Sequence, residues 1–84
     1  MATKTLFVGN LPWRISDDDL EKLFDEHGKV HSARVITDRE TGRSRGFGFV
    51  EMDTDAANAC IEEMNGKDID SRPLRVNEAN QRGG

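Results

Sequence analysis

Three phenylalanines carry the most legible chemistry in this sequence. Phe7 lies within TLFVG, residues 5–9, and Phe47 and Phe49 alternate within GFGFVEM, residues 46–52. Both segments are short, rich in β-formers and bounded by turn-forming residues, which reads as strand. Side chains along a strand alternate between two faces. If Leu6, Val8, Val50 and Met52 face a core, then Thr5, Phe7 and Gly9 point the other way, as do Arg45, Phe47, Phe49 and Glu51. Three of the four phenylalanines then stand where a soluble domain avoids them, and exposed aromatic clusters mark binding sites. A flat ring is a platform for a nucleobase, worth about 1–3 kcal/mol per stacked base. Gly46 and Gly48 place no side chains beside the rings, which leaves room for a planar ligand. Arg45 suits a phosphate or a stacked base. The competing reading is a core aromatic cluster. Strand parity opposes it, because it sends Leu6, Val8 and Val50 inward instead.

The rest of the chain has to hold these strands. After the first strand, Asn10-Leu11-Pro12-Trp13 breaks the pattern. Ser16 reads as a helix N-cap with Asp19 three residues on. Leu20, Leu23 and Phe24 form an apolar stripe at helical spacing, and Gly28 stands at the expected stop. Residues 30–36 alternate again. Val30, Ala33 and Val35 cannot share one parity, which predicts an irregularity near His31. Residues 37–46 are polar and contain two glycines, a loop. Asp53 and Thr54 are candidate caps for a helix over about 55–64. Ala57, Cys60, Ile61 and Met64 form its stripe, and Asn65-Gly66 ends it. Ile69 falls in a short extended piece. Residues 73–77 form the last strand with Pro73 at its entry, and 80–84 are a flexible tail. Trp13 is expected to pack over the sheet end or a helix terminus.

The order β-α-β-β-α-β is the split βαβ, ferredoxin-like arrangement. It predicts an α+β sandwich: a four-stranded antiparallel sheet with both helices on one face. The other face stays open. By the same alternation Arg34 and Arg75 reach it, with Ser32, Ile36 and Asn77 beside them. Basic residues interleaved with aromatics on an open sheet suit single-stranded nucleic acid. Arg39 and Arg43, in the loop, are candidates to grip phosphates.

The net charge taken alone argues against this. The 84 residues carry 16 acids against 12 Lys and Arg, a net charge of -4. Residues 17–26 and 55–63 hold nine of the acids and one base, which leaves eleven bases against seven acids elsewhere. Acidity on the two helices would therefore sit behind a more basic sheet. No apolar run approaches membrane-spanning length. No secretory signal is visible, and a single cysteine excludes an internal disulfide. A cytoplasmic location is expected, or a nuclear one in a eukaryote. His27 and His31 lack a third ligand at metal spacing. No nucleophile–base pair or phosphate cradle is present, so neither enzyme, metal nor cofactor is expected.

Leu6-Phe7-Val8-Gly9-Asn10-Leu11 and Arg45-Gly46-Phe47-Gly48-Phe49-Val50-Glu51-Met52 resemble the two ribonucleoprotein signatures of the RNA recognition motif family. The octamer pattern K/R-G-F/Y-G/A-F-V-x-F/Y is met at every position but the last. The resemblance spans about residues 4–79 of a single domain. It is strongest to stand-alone, single-motif small RNA-binding proteins of bacteria and cyanobacteria, and the chain also resembles plant glycine-rich and animal cold-inducible RNA-binding proteins. It implies that Phe7, Phe47 and Phe49 stack on bases and that Arg45 contacts phosphate. It also implies that the segment from Asn77 to Asn80 contacts base edges. The partner would be single-stranded RNA, with single-stranded DNA not distinguished by stacking alone. The protein would act as a monomer in post-transcriptional regulation or RNA chaperoning. The alternative is a protein-interaction module using the helix face. The sequence departs from the family at Met52, expected to face the core, and at Thr5. Many members carry a base where Thr5 stands, and here only the adjacent Lys4 is basic.

Overall fold

A computed structural model describes residues 2–79. The expected tail at 80–84 and the contact expected of Asn80 lie outside the described residues. The main sheet is built from β1 (Thr3–Gly9), β2 (Val30–Thr37), β3 (Ser44–Asp53) and β6 (Arg75–Glu78). Their spatial order is β2-β3-β1-β6, and every neighbouring pair is antiparallel. Helices α1 (Asp17–Asp25) and α2 (Thr54–Met64) both pack on the same side. α1 lies mainly against β2, and α2 against β1 and β6. The ferredoxin-like α+β fold is as expected.

Parity decides what is buried. Leu6, Val8, Val50, Met52 and Val76 are wholly buried on the helix side, against Leu20 and Phe24 of α1 and Ala57, Cys60 and Met64 of α2. Each such side chain is worth about 1.5–3 kcal/mol relative to an exposed one. Met52 fills its core place, and the Cys60 thiol donates to its sulfur at 3.6 Å. Burial, with Glu63 nearby, pushes that thiol's pKa up. Cys60 is therefore an unreactive core residue.

Local chemistry sets the element ends. Ser16 and Asp19 form a reciprocal capping box at α1. Asp17, the first residue of α1, reaches across to β2, where its carboxylate accepts from the Val35 backbone N–H at 2.7 Å. This ties α1 to β2 where the strand is irregular. Two register shifts occur in β2, between Val30 and Ser32 as parity demanded, and between Val35 and Thr37.

Several expectations need correction. Residues 37–46 are not simply a loop: β2 runs on to Thr37 and β3 starts at Ser44. The Asp38 carboxylate accepts from the backbone N–H of Glu40 and Thr41, and Gly42 adopts a φ of +73°. This Asx-type turn closes a hairpin that a polar composition conceals. Asp53 occupies the N-cap of α2 but makes no capping bond with its side chain. Its carboxylate lies 2.8 Å from His31 Nε2 instead. Gly28 does not end α1, which stops at Asp25 with Glu26 as its cap; it is a glycine for packing, since a Cβ there would lie 2.6 Å from the Ala56 Cβ. Pro73 does not enter the last strand. It belongs to a small hairpin of β4 (Asp68–Ile69) and β5 (Arg72–Pro73). Its two turn residues, Asp70 and Ser71, both have positive φ, the mirrored turn favoured in hairpins. Asn10 Nδ2 donates to the Pro73 carbonyl at 2.8 Å, and Arg14 pairs with Asp70, so the hairpin is tied to the β1–α1 loop.

Candidate nucleic-acid interface

The open face is organised in rows across the strands. Register places Asn77, Phe7, Phe49 and Arg34 side by side on β6, β1, β3 and β2. The row toward one end holds Arg75, Gly9 and Phe47. The row toward the other holds Thr5, Glu51 and Ser32. Backbone pairing therefore brings together residues that stand far apart in the sequence.

The three rings form one cluster. Phe7 lies 5.7 Å from Phe47 and 6.1 Å from Phe49, tilted by 55° and 49°. Phe47 and Phe49 meet edge to face at 6.1 Å. Such tilted contacts are the favoured geometry for aromatic pairs and hold the rings in place without covering them. Phe49 is 36% exposed, while Phe7 and Phe47 are half-buried against their neighbours. The Phe7 ring lies back over Gly9, where an added Cβ would come within 3.1 Å of it. Gly9 thus gives that ring its seat.

The two glycines of the octamer serve other ends than ligand access. Gly46 has a φ of +86°, a conformation that residues with a side chain rarely adopt. Gly48 faces the helix side, where a Cβ would lie 2.4 Å from the Arg34 carbonyl and 3.1 Å from Leu20. It lets β2, β3 and α1 approach closely behind the rings.

Arg34 and Arg75 are exposed on this face, Arg45 is exposed near the start of β3, and Arg39 and Arg43 are exposed on the β2–β3 turn at one end of the sheet. Among the described residues none of the five is in an ion pair. Their guanidinium groups are available to an anion. Lys4 is not available in that way. Its ammonium donates to Asn58 of α2 at 2.7 Å and pairs with Glu78 at 3.4 Å, on the helix side. It cannot stand in for the base absent at Thr5. Asn77 is exposed beside Phe7, as expected. Glu78 turns to the back, and the Ala79 N–H is already donated to the Thr5 carbonyl.

The acids separate partly as the charge pattern implied, with half of the sixteen on α1 and α2 behind the sheet. Glu51, by contrast, is a carboxylate on the open face itself. It lines a cleft with Thr5, Ser32, Arg34, Ile36 and Phe49. Trp13 is a second surprise. It lies at a helix terminus as expected but is 68% exposed there, lining a cleft between the α1 N-terminus and the β2–β3 turn. Its loop position carried no periodic signal that could have settled its burial.

A model of the RNA recognition motif matches residues 6–75, most of the chain and both signature strands. The chain belongs to the RNA recognition motif family. It is 55% identical over 78 residues to the chloroplastic 28 kDa ribonucleoprotein of Spinacia oleracea, covering 92% of this chain and 34% of that one. It is 54% identical over 83 residues to the mitochondrial Glycine-rich RNA-binding protein 2 of Arabidopsis thaliana, covering 98% and 52%. The crystal structure of RNA Binding Protein PG1 superposes with a TM-score of 0.89 at 52% identity, covering 94% of this chain and 96% of that one. The chain spans about a quarter to a half of the length of the curated relatives that it matches.

Proposed function

We propose that this chain binds single-stranded RNA by stacking bases on Phe7, Phe47 and Phe49, as one module over residues 4–79. The observation that carries the reading is the three-ring cluster left uncovered on the sheet, with arginines that have no acidic partner among the described residues. Bases stack on the rings, and Arg45, Arg34 and Arg75 meet phosphates or base faces at the rim. Arg39 and Arg43 extend the cationic edge along the β2–β3 turn. Asn77 offers both a donor and an acceptor to a base edge. The names of the relatives, a ribonucleoprotein and RNA-binding proteins, support the same reading.

The module acts by binding rather than by catalysis, in the post-transcriptional handling of transcripts. Relatives named as chloroplastic and mitochondrial make an organelle as reasonable a setting as the cytoplasm. Stacking does not separate RNA from DNA; contacts to the 2′-hydroxyl do. An NMR titration with short homopolymers of each sugar type tests the reading. The amides of β1 and β3 are expected to shift with RNA. Shifts confined to α1 and α2 would overturn the proposal in favour of a helix-face interaction.

A further inference from the structure

Glu51 is out of place on a surface that holds a polyanion. Among the described residues no cation pairs with it. One neighbour orients it: the Thr3 hydroxyl donates to Glu51 Oε2 at 2.9 Å. Register sets Thr5 on one side of it and Ser32 on the other. The row Thr5–Glu51–Ser32 lies one step along the face from the row that holds Phe49 and Arg34. That step is two residues, about 6.8 Å along a strand. A base stacked on Phe49 can therefore turn one edge toward the carboxylate. The cleft joining Phe49 to Glu51 runs between these two rows.

Resting on the stacking reading above, we propose that Glu51 reads the base on Phe49 and selects guanine. The chemistry singles out one edge. A carboxylate only accepts hydrogen bonds, through two oxygens. Guanine alone presents two adjacent donors on its Watson–Crick edge, the N1–H and the N2 amino group. Adenine and cytosine offer one amino group beside a ring nitrogen that repels a carboxylate. Uracil offers one N–H between two carbonyl oxygens. The guanine O6 then falls beside the carboxylate, where the hydroxyl of Ser32 or Thr5 can donate to it. Glu51 also repels phosphate. It thereby keeps the backbone toward the arginine rim and turns base edges inward.

Labelled uridine hexamers carrying one central guanine, adenine, cytosine, inosine or uridine test this by fluorescence anisotropy. The proteins are the wild type, Glu51→Gln and Phe47→Ala/Phe49→Ala. The wild type is expected to bind the guanine hexamer at least about 5-fold more tightly than the others, the low end for a paired base contact. Inosine, which lacks the N2 amino group, is expected to lose most of that advantage. Glu51→Gln is expected to bring all five hexamers within about 2-fold of one another. A wild type without guanine preference, or a preference that survives in Glu51→Gln, overturns the proposal. The two readings fail separately. Binding that survives loss of the rings overturns stacking, whereas ring-dependent binding with a base preference indifferent to Glu51→Gln overturns only the role of Glu51.

Discussion

Leu6 and Phe7 are adjacent in the chain and opposite in fate. Leu6 is wholly buried between the sheet and the helices, while Phe7 stands half-buried on a face that no element covers. The same contrast separates Val50 from Phe49 on β3. Two apolar side chains with similar appetites for burial are sorted by one residue of strand parity. On the helix side the apolar surface stabilises the fold. On the open side it forms the surface proposed above for stacked bases. The cost of leaving it exposed is reduced by the rings packing on each other and, for Phe7, on Gly9.

Substitutions on the two faces should therefore separate binding from stability. The largest effect is expected from Phe47→Ala/Phe49→Ala, which removes two stacking platforms at about 1–3 kcal/mol each. RNA affinity measured by anisotropy should fall by at least about 30-fold, with the cooperative unfolding transition retained. Leu6→Ala should do the reverse. It should cost about 2–5 kcal/mol in urea denaturation, with the affinity of the folded fraction nearly unchanged. If Leu6→Ala weakened binding as much as the ring variant, the two faces would not be independent.

Gly48→Ala probes the contact between the faces. Its Cβ would press on the Arg34 carbonyl and Leu20. Overpacking of this kind costs about 1–3 kcal/mol, and the displaced β2 should also perturb Arg34. A drop in melting temperature without a change in the NMR shifts of β2 would place the strain elsewhere.

Salt sharpens the share of the rim. Two or three phosphate contacts by Arg34, Arg45 and Arg75 imply that affinity falls about 7- to 20-fold between 50 and 200 mM salt. A flat salt response would remove the arginines from the interface and leave the rings alone.

The smallest effect concerns the hairpin tied to the β1–α1 loop. The hydrogen bond from Arg14, aided by its charge, holds the Asp70 carboxyl below its usual value of 3.8. A lowered folded-state pKa contributes stability that is present above pH 3.8 and fades as pH falls below it. The pair is exposed, so the contribution is small. Asp70→Asn should lower the urea midpoint slightly at pH 7, and the gap from wild type should narrow near pH 3. A gap that stayed constant with pH would mean that the turn conformation, rather than the ion pair, is what Asp70 supplies.

Much of this molecule follows from local rules. Alternation in TLFVG and GFGFVEM put the rings on one side and the aliphatic residues on the other. The spacing of Leu20, Leu23 and Phe24 and the Ser16–Asp19 box defined α1. The element order left only one face for the helices, so the open surface and its basic rim were legible without coordinates. The hairpin over 68–73 was not, because its turn residues, Asp70 and Ser71, carry no glycine signal. Trp13 was not, because a loop aromatic has no period to assign it a side.

Other features depend on which strands lie side by side, and no single segment contains that information. Register alone set Glu51 between Thr5 and Ser32, one step from the row of Phe7 and Phe49. The packing of α2 on β1 drew the Lys4 ammonium to the back. Gly48 leaves the room in which β2 and Leu20 approach, a constraint made by atoms distant in sequence. Sequence periodicity determined which side chains leave the core, since alternation is a property of each strand by itself. Only the tertiary structure decided which of them meet, because pairing between strands sets the distances at which their chemistry acts.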